Sequence, residues 1–137
     1  MRVLCVGRHA YLSEHLCRYF RDLGAECDHV VGAASVVAAA ARFEPHIVIS
    51  DSELLTAPLL DGWSDEAVLS GTPVLAVSLT RRPEEAGPPL PGLAAVIYLP
   101  ALDRAKGLAM LAGAYRPRGV DAPQAWRMPP ALPSVVR

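Results

Sequence analysis

Asp51 closes the run Pro45-His46-Ile47-Val48-Ile49-Ser50-Asp51, an apolar stretch of strand length that finishes on a carboxylate. Doubly wound α/β proteins keep their reactive groups at such positions, on the carboxyl edge of a buried parallel sheet. What Asp51 can do there depends on its companions. Arg8 follows the first apolar run, and a guanidinium aimed at Asp51 would make a bidentate pair with it and take the place of any cation. Ser78 ends a second apolar run, Thr72 to Ser78, with a hydroxyl at the same edge. Glu53, two residues past Asp51, is either a second carboxylate on the rim or a solvated loop charge. His9 is also adjacent, but a lone histidine without a partner at ligand spacing seldom holds a metal.

Other chemistries lack their parts. The sequence has no G-x-G-x-x-G after the first strand, no P-loop, no G-x-S-x-G and no H-E-x-x-H, so dinucleotide, nucleotide, hydrolase and zinc-protease readings have no mechanics to run on. Cys5, Cys17 and Cys27 are odd in number and show no C-x-x-C spacing, which points to neither a disulfide framework nor a zinc site. Reduced thiols in a cytoplasm are the expectation, with Cys5 and Cys27 buried on neighbouring strands. His15, His29 and His46 have no evident partners in the sequence. No apolar segment has the length of a signal peptide or a membrane span, so no membrane role is expected.

The composition fits one globular domain: 137 residues, 52% hydrophobic and 20% charged. A net charge of −1 conceals an acidic body and a basic tail, because four Arg and one Asp lie from Arg116 onward. That tail is too weakly and too diffusely basic to argue for nucleic acid, which calls for a clustered basic face.

The residues of the edge must be carried by alternating strands and helices. Arg2 to Gly7 reads as a strand and Tyr11 to Leu23 as an amphipathic helix, with Gly24 placed to stop it. Cys27 to Val31 is a second strand, Ala33 to Phe43 an alanine-rich helix, and Pro45 to Asp51 the third strand. A loop over Ser52 to Gly62 and a short helix around Trp63 to Leu69 follow. Thr72 to Ser78 and Ala94 to Leu99 complete five strands, and Asp103 can cap a last helix whose Leu108, Leu111 and Tyr115 face inward. Right-handed crossovers then place helices on both faces of a parallel sheet, a flavodoxin-like layout. Between the last two strands, Gly87 to Gly92 holds three prolines and two glycines, so the fourth helix is expected to be shortened or missing. Residues 116–137 contain five of the thirteen prolines and no periodicity, so they read as an extended or disordered tail beyond a domain of residues 1–115. Their apolar side chains, Trp126 among them, favour docking on the domain or on a partner.

With these residues in view, the chain resembles the receiver domains of response regulators over residues 1–115. Val3 to Val6 with Gly7-Arg8-His9, Pro45 to Asp51, Leu60-Asp61-Gly62 at the opening of the third helix, Val74 to Ser78 and Tyr98-Leu99-Pro100 carry the likeness. It implies a sheet ordered 2-1-3-4-5 and makes Asp51 the phosphoacceptor position and Ser78 the hydroxyl that reads a phosphoryl group. It also exposes departures. Gly7 and Arg8 stand where receivers hold an acidic pair for a divalent metal, Leu99 stands for the lysine before the matching Pro100, and Val96 falls where an aromatic switch residue often sits. An arginine cannot coordinate a cation, and a leucine cannot pair with a phosphoryl oxygen. The expected function is therefore a non-enzymatic, cytoplasmic receiver-like signalling module that binds a protein partner or a second copy of itself, without a cofactor and without phosphorylation. The alternative is a receiver still phosphorylated at Asp51, with Mg²⁺ held with help from Glu53; more distant is a small-molecule site or enzyme at the sheet edge.

Overall fold

The structure is a computed structural model that describes residues 1–78 and 90–115. Five strands, β1 (Arg2–Gly7), β2 (Glu26–Val31), β3 (Ile47–Asp51), β4 (Val74–Ser78) and β5 (Leu93–Tyr98), form one parallel sheet in the order 2-1-3-4-5. This is the flavodoxin-like layout that the alternation of elements predicts. Helices α1 (Ala10–Asp22), α2 (Val36–Phe43), α3 (Ala57–Asp65) and α4 (Arg104–Ala114) cover it.

The central strands read as unbroken apolar runs because each of their faces is covered. Val3 and Cys5 of β1, Ile47 and Ile49 of β3, and Leu75 and Val77 of β4 pack beneath α1 and α4 against Leu16, Phe20 and Leu111. Their alternate neighbours Leu4, Val6, Val48 and Ala76 pack on the other side against Val36 and Ala40 of α2 and Leu60 and Trp63 of α3. Edge strands β2 and β5 are mostly half-buried.

Local chemistry sets most of the boundaries. Gly24 takes φ 103° just past α1, a conformation that glycine adopts without a Cβ penalty, and the chain turns there into β2. Asp103 caps α4 through its side chain, which accepts the N–H of Lys106 at 2.8 Å. Glu44 closes α2 in the left-handed region at φ 52°, immediately before Pro45.

One expectation is corrected. The third helix is not the segment around Trp63 to Leu69: it starts at Ala57 and ends at Asp65, and the segment read as loop contains a 3-10 turn over Ser52–Leu54. Thr56 is the reason, since its hydroxyl accepts the N–H of Leu59 at 3.3 Å and Pro58 occupies the first turn, where its missing N–H is harmless. Leu60-Asp61-Gly62 consequently lies inside the helix rather than at its opening. The proline-rich crossover at 79–89 and the tail at 116–137 lie outside the described residues, as does the expectation that the fourth crossover helix is shortened.

Candidate functional site

Strand register assembles the site. Val6 pairs with Ser50 and Asp51 with Val77, so the carboxyl ends of β1, β3 and β4 finish side by side and bring Gly7, Asp51 and Ser78 to one edge. Ser78 in turn pairs with Tyr98, which places the Leu99-Pro100 turn next along the same edge. The residues drawn from the sequence thus do converge by strand position.

Asp51 is nearly sealed from solvent, at 1% exposure, and both of its oxygens are engaged. Oδ2 accepts a hydrogen bond from Nε of Arg8 within an ion pair. Oδ1 accepts the backbone N–H of Glu53 at 3.0 Å and so caps the 3-10 turn that follows β3. The guanidinium reaches Asp51 through Nε rather than through the two-pronged contact expected from the sequence, and its side chain stays 43% exposed. Arg8 directly follows β1, and it is the Nε edge of its planar group that meets the carboxylate.

Gly7 is held by contact rather than by conformation. A Cβ at this position would lie 2.6 Å from the backbone nitrogen of Ser13 and 3.1 Å from the carbonyl oxygen of His9. The first turn of α1, with the Ser13 N–H bonded to the His9 carbonyl at 3.2 Å and the Ser13 hydroxyl donating to the Ala10 carbonyl at 3.1 Å, sits directly over the end of β1. A side chain of any size at position 7 requires that turn to move. The sequence displays the glycine, but only the folded chain shows what presses on it.

The remaining residues divide. Ser78 is buried at the edge, and Leu99 packs onto the hydrophobic cluster beneath α1 and α4, as an aliphatic side chain should. Val96 packs on the opposite cluster with Val74 and Ala76. Pro100 is exposed in a short 3-10 turn, and the Glu53 side chain points to solvent while its N–H serves Asp51. His9 is the exposed residue that precedes α1, and its side chain caps nothing there. His46 is buried and accepts the Arg2 N–H at Nδ1, at 2.9 Å, well away from this edge at the start of β3.

The donor set does not fit a divalent cation. Such an ion wants several oxygen ligands in near-octahedral order, whereas here the carboxylate oxygens of Asp51 already serve an arginine and a backbone N–H, and position 7 has no side chain to offer. Among the described residues, no three His, Cys, Asp or Glu side chains converge as a metal-binding group. A cavity of about 420 Å³, lined by Trp63, Leu69, Gly71, Thr72 and Pro91 among others, opens at the opposite, amino-terminal edge of β4 and so is separate from Asp51. No helix among the described residues is long and apolar enough to cross a membrane.

No protein-family model matches the sequence, and no curated protein matches it. Solved structures do match by shape. The chemotaxis response regulator CheY4 of Vibrio cholerae is 18% identical with a TM-score of 0.64, over 82% of this chain and 97% of that one. A sensor protein from Polaromonas sp. JS666 is 19% identical with a TM-score of 0.68, over 82% and 94%. The receiver domain of sensor histidine kinase PA1611 from Pseudomonas aeruginosa, whose structure has magnesium coordinated in the active-site cleft, is 15% identical with a TM-score of 0.67, over 82% and 95%. This chain has the receiver fold.

Proposed function

We propose that the chain is a receiver-fold interaction module of two-component-type signal transduction that works without phosphorylation, its aspartate retained as a structural ion-pair partner. One observation carries this reading: both oxygens of the 1% exposed Asp51 are engaged as acceptors, one by Arg8 and one by the Glu53 N–H. Attack on phosphorus through either oxygen would have to proceed past a group already placed on it, the Arg8 guanidinium on Oδ2 or the Glu53 N–H on Oδ1, at a buried site. Phosphoryl transfer rests almost wholly on positioning and charge stabilisation, so the loss of the metal ligands and of the lysine at position 99 raises the barrier by several kcal/mol, each about 1.4 kcal/mol being tenfold in rate. A non-enzymatic role, a protein partner or a second copy as the binding target, and action without a cofactor belong to the same reading.

Incubation of the full chain with acetyl phosphate and Mg²⁺, followed by intact mass, is expected to leave the mass unchanged. A phosphoryl adduct that disappears in Asp51→Asn overturns the proposal in favour of a working phosphoacceptor, a reading that draws on the half-exposed Arg8 being free to swing away. In the double variant Arg8→Asp, Leu99→Lys, an adduct is expected to appear, because one carboxylate and one ammonium return to the edge together.

A further inference from the structure

The amino-terminal edge of the sheet, away from Asp51, carries the cavity of about 420 Å³, a volume within the range of ligand pockets. Leu60, Leu69, Val74 and Pro91 give it apolar walls, and Ser64 and Thr72 add polar groups. An indole suits such a lining, since it joins a broad apolar face, about 150–250 Å² when buried, to one N–H that needs an acceptor. The flank is acidic. Asp61 also lines the cavity, and exposed Asp65 and Glu66 follow at the end of α3. Between residues 43 and 78 the chain has six carboxylate side chains and no Lys or Arg.

The last helix ends at the same edge. Tyr115, which follows α4, meets His46 edge-on with ring centroids 5.2 Å apart, and His46 directly precedes β3. Two residues on, Val48 pairs with Val74 and donates its N–H to the Pro73 carbonyl at 3.0 Å. Pro73 and Val74 are cavity residues, so residue 115 lies about one strand spacing, roughly 4.8 Å, from the strand that carries the cavity, on the opposite face of the sheet. Residues 116–137 continue from there. Trp126 stands eleven residues beyond Tyr115, a reach of up to about 36 Å, against roughly 15 Å for one strand spacing and one layer. The segment carries four Arg and one Asp, a charge of +3, which leaves −4 on residues 1–115 out of the net −1. Arg127 directly follows the indole.

We infer that the cavity is the docking site for the chain's own segment 116–137, with Trp126 seated in it and Arg127 toward the acidic end of α3. Reach, side-chain chemistry and charge agree on this occupant. Trp126 is the only aromatic residue of the segment, and the acidic flank of α3 complements the arginine beside it. A tethered group meets its site at an effective concentration in the millimolar range, so a modest fit suffices. The seat lies at the end of the strands opposite Asp51, and it holds whether or not Asp51 accepts a phosphoryl group.

The full chain carries the test, with the photoreactive p-benzoylphenylalanine in place of Trp126. Irradiation of the dilute protein should give a product of monomer mass whose cross-link maps to residues 60–74 or 91–92. Ser64 is exposed on α3 at the cavity, and Ser64→Arg puts a long cation there on a good helix former. It should lower the yield of that link at least about tenfold. In the otherwise unaltered chain labelled with 5-fluorotryptophan, the fluorine resonance that is lost in Trp126→Phe should show a solvent isotope shift as small as that of buried Trp63. This measurement decides if the photoreactive chain does not fold. A link elsewhere in the domain, links between molecules alone, no link, a yield unmoved by Ser64→Arg, or the isotope shift of a fully exposed indole overturns the inference.

Discussion

Gly7 and Asp51 act as a pair at the residue scale, one by what it lacks and the other by what it holds. The turn of α1 that presses on Gly7 also fixes the path by which Arg8 leaves β1 and meets Asp51. Replacing Gly7 by alanine drives a methyl group into the Ser13 backbone nitrogen, which cannot rotate aside as a side chain would. We expect Gly7→Ala to cost about 1–3 kcal/mol, measured as a lower urea midpoint at unchanged slope. Stability equal to the parent would mean that the α1 turn yields readily and that a carboxylate at position 7 is sterically open. The same residue bears on repair of the site. Arg8→Asp restores one acidic group, but the second of the pair would have to displace a helix start.

Between elements, the docking of α4 on α1 shows how caps and close contacts share the work. Tyr19 of α1 donates its hydroxyl to the Asp103 carbonyl at 2.9 Å, and Gly107 is buried directly against Tyr19 and Leu23. The Asp103 side chain meanwhile satisfies the Lys106 N–H. Asp103→Ala removes that acceptor and is expected to cost about 1 kcal/mol, whereas Asp103→Asn keeps an oxygen in place and should stay within a few tenths of the parent. Thermal unfolding of the two variants compares them; equal losses would mean that charge rather than the cap hydrogen bond holds the helix start. Such caps are readable ahead of folding when they precede a periodic run, as Asp103 does. Thr56 was harder to read because Gly62 breaks the α3 pattern and the proline at position 58 looks like a loop signal, although in a first turn it supports a helix.

At the scale of the molecule, the described residues form one sheet with two cores, and the central strands contribute alternate residues to each. Neither core can lose its packing without loosening strands that the other needs. Phe20, fully buried on the α1 side, and Trp63, buried on the α3 side, report on this from opposite faces. Phe20→Ala is expected to cost about 3–5 kcal/mol and to lower the unfolding midpoint equally by circular dichroism and by tryptophan fluorescence. Separate midpoints would mean that the two layers unfold independently.

The chain's periodicity determined the five strands, their alternation with helices and the placement of Asp51, Ser78 and Arg8 at strand ends, because burial on two faces writes continuous apolar runs and capping residues write their boundaries. Residue type alone also put Gly7, Arg8 and Leu99 at the positions where the resemblance to receivers implies an acidic pair and a lysine. Tertiary structure decided the rest: that Arg8 engages one oxygen through Nε, that the Glu53 N–H takes the other, that Ser13 closes over Gly7, and that three unspaced cysteines share one cluster. Contacts of this kind depend on strand register and helix docking across tens of residues, and spacing along a chain holds no record of which side chains those bring within a few ångströms.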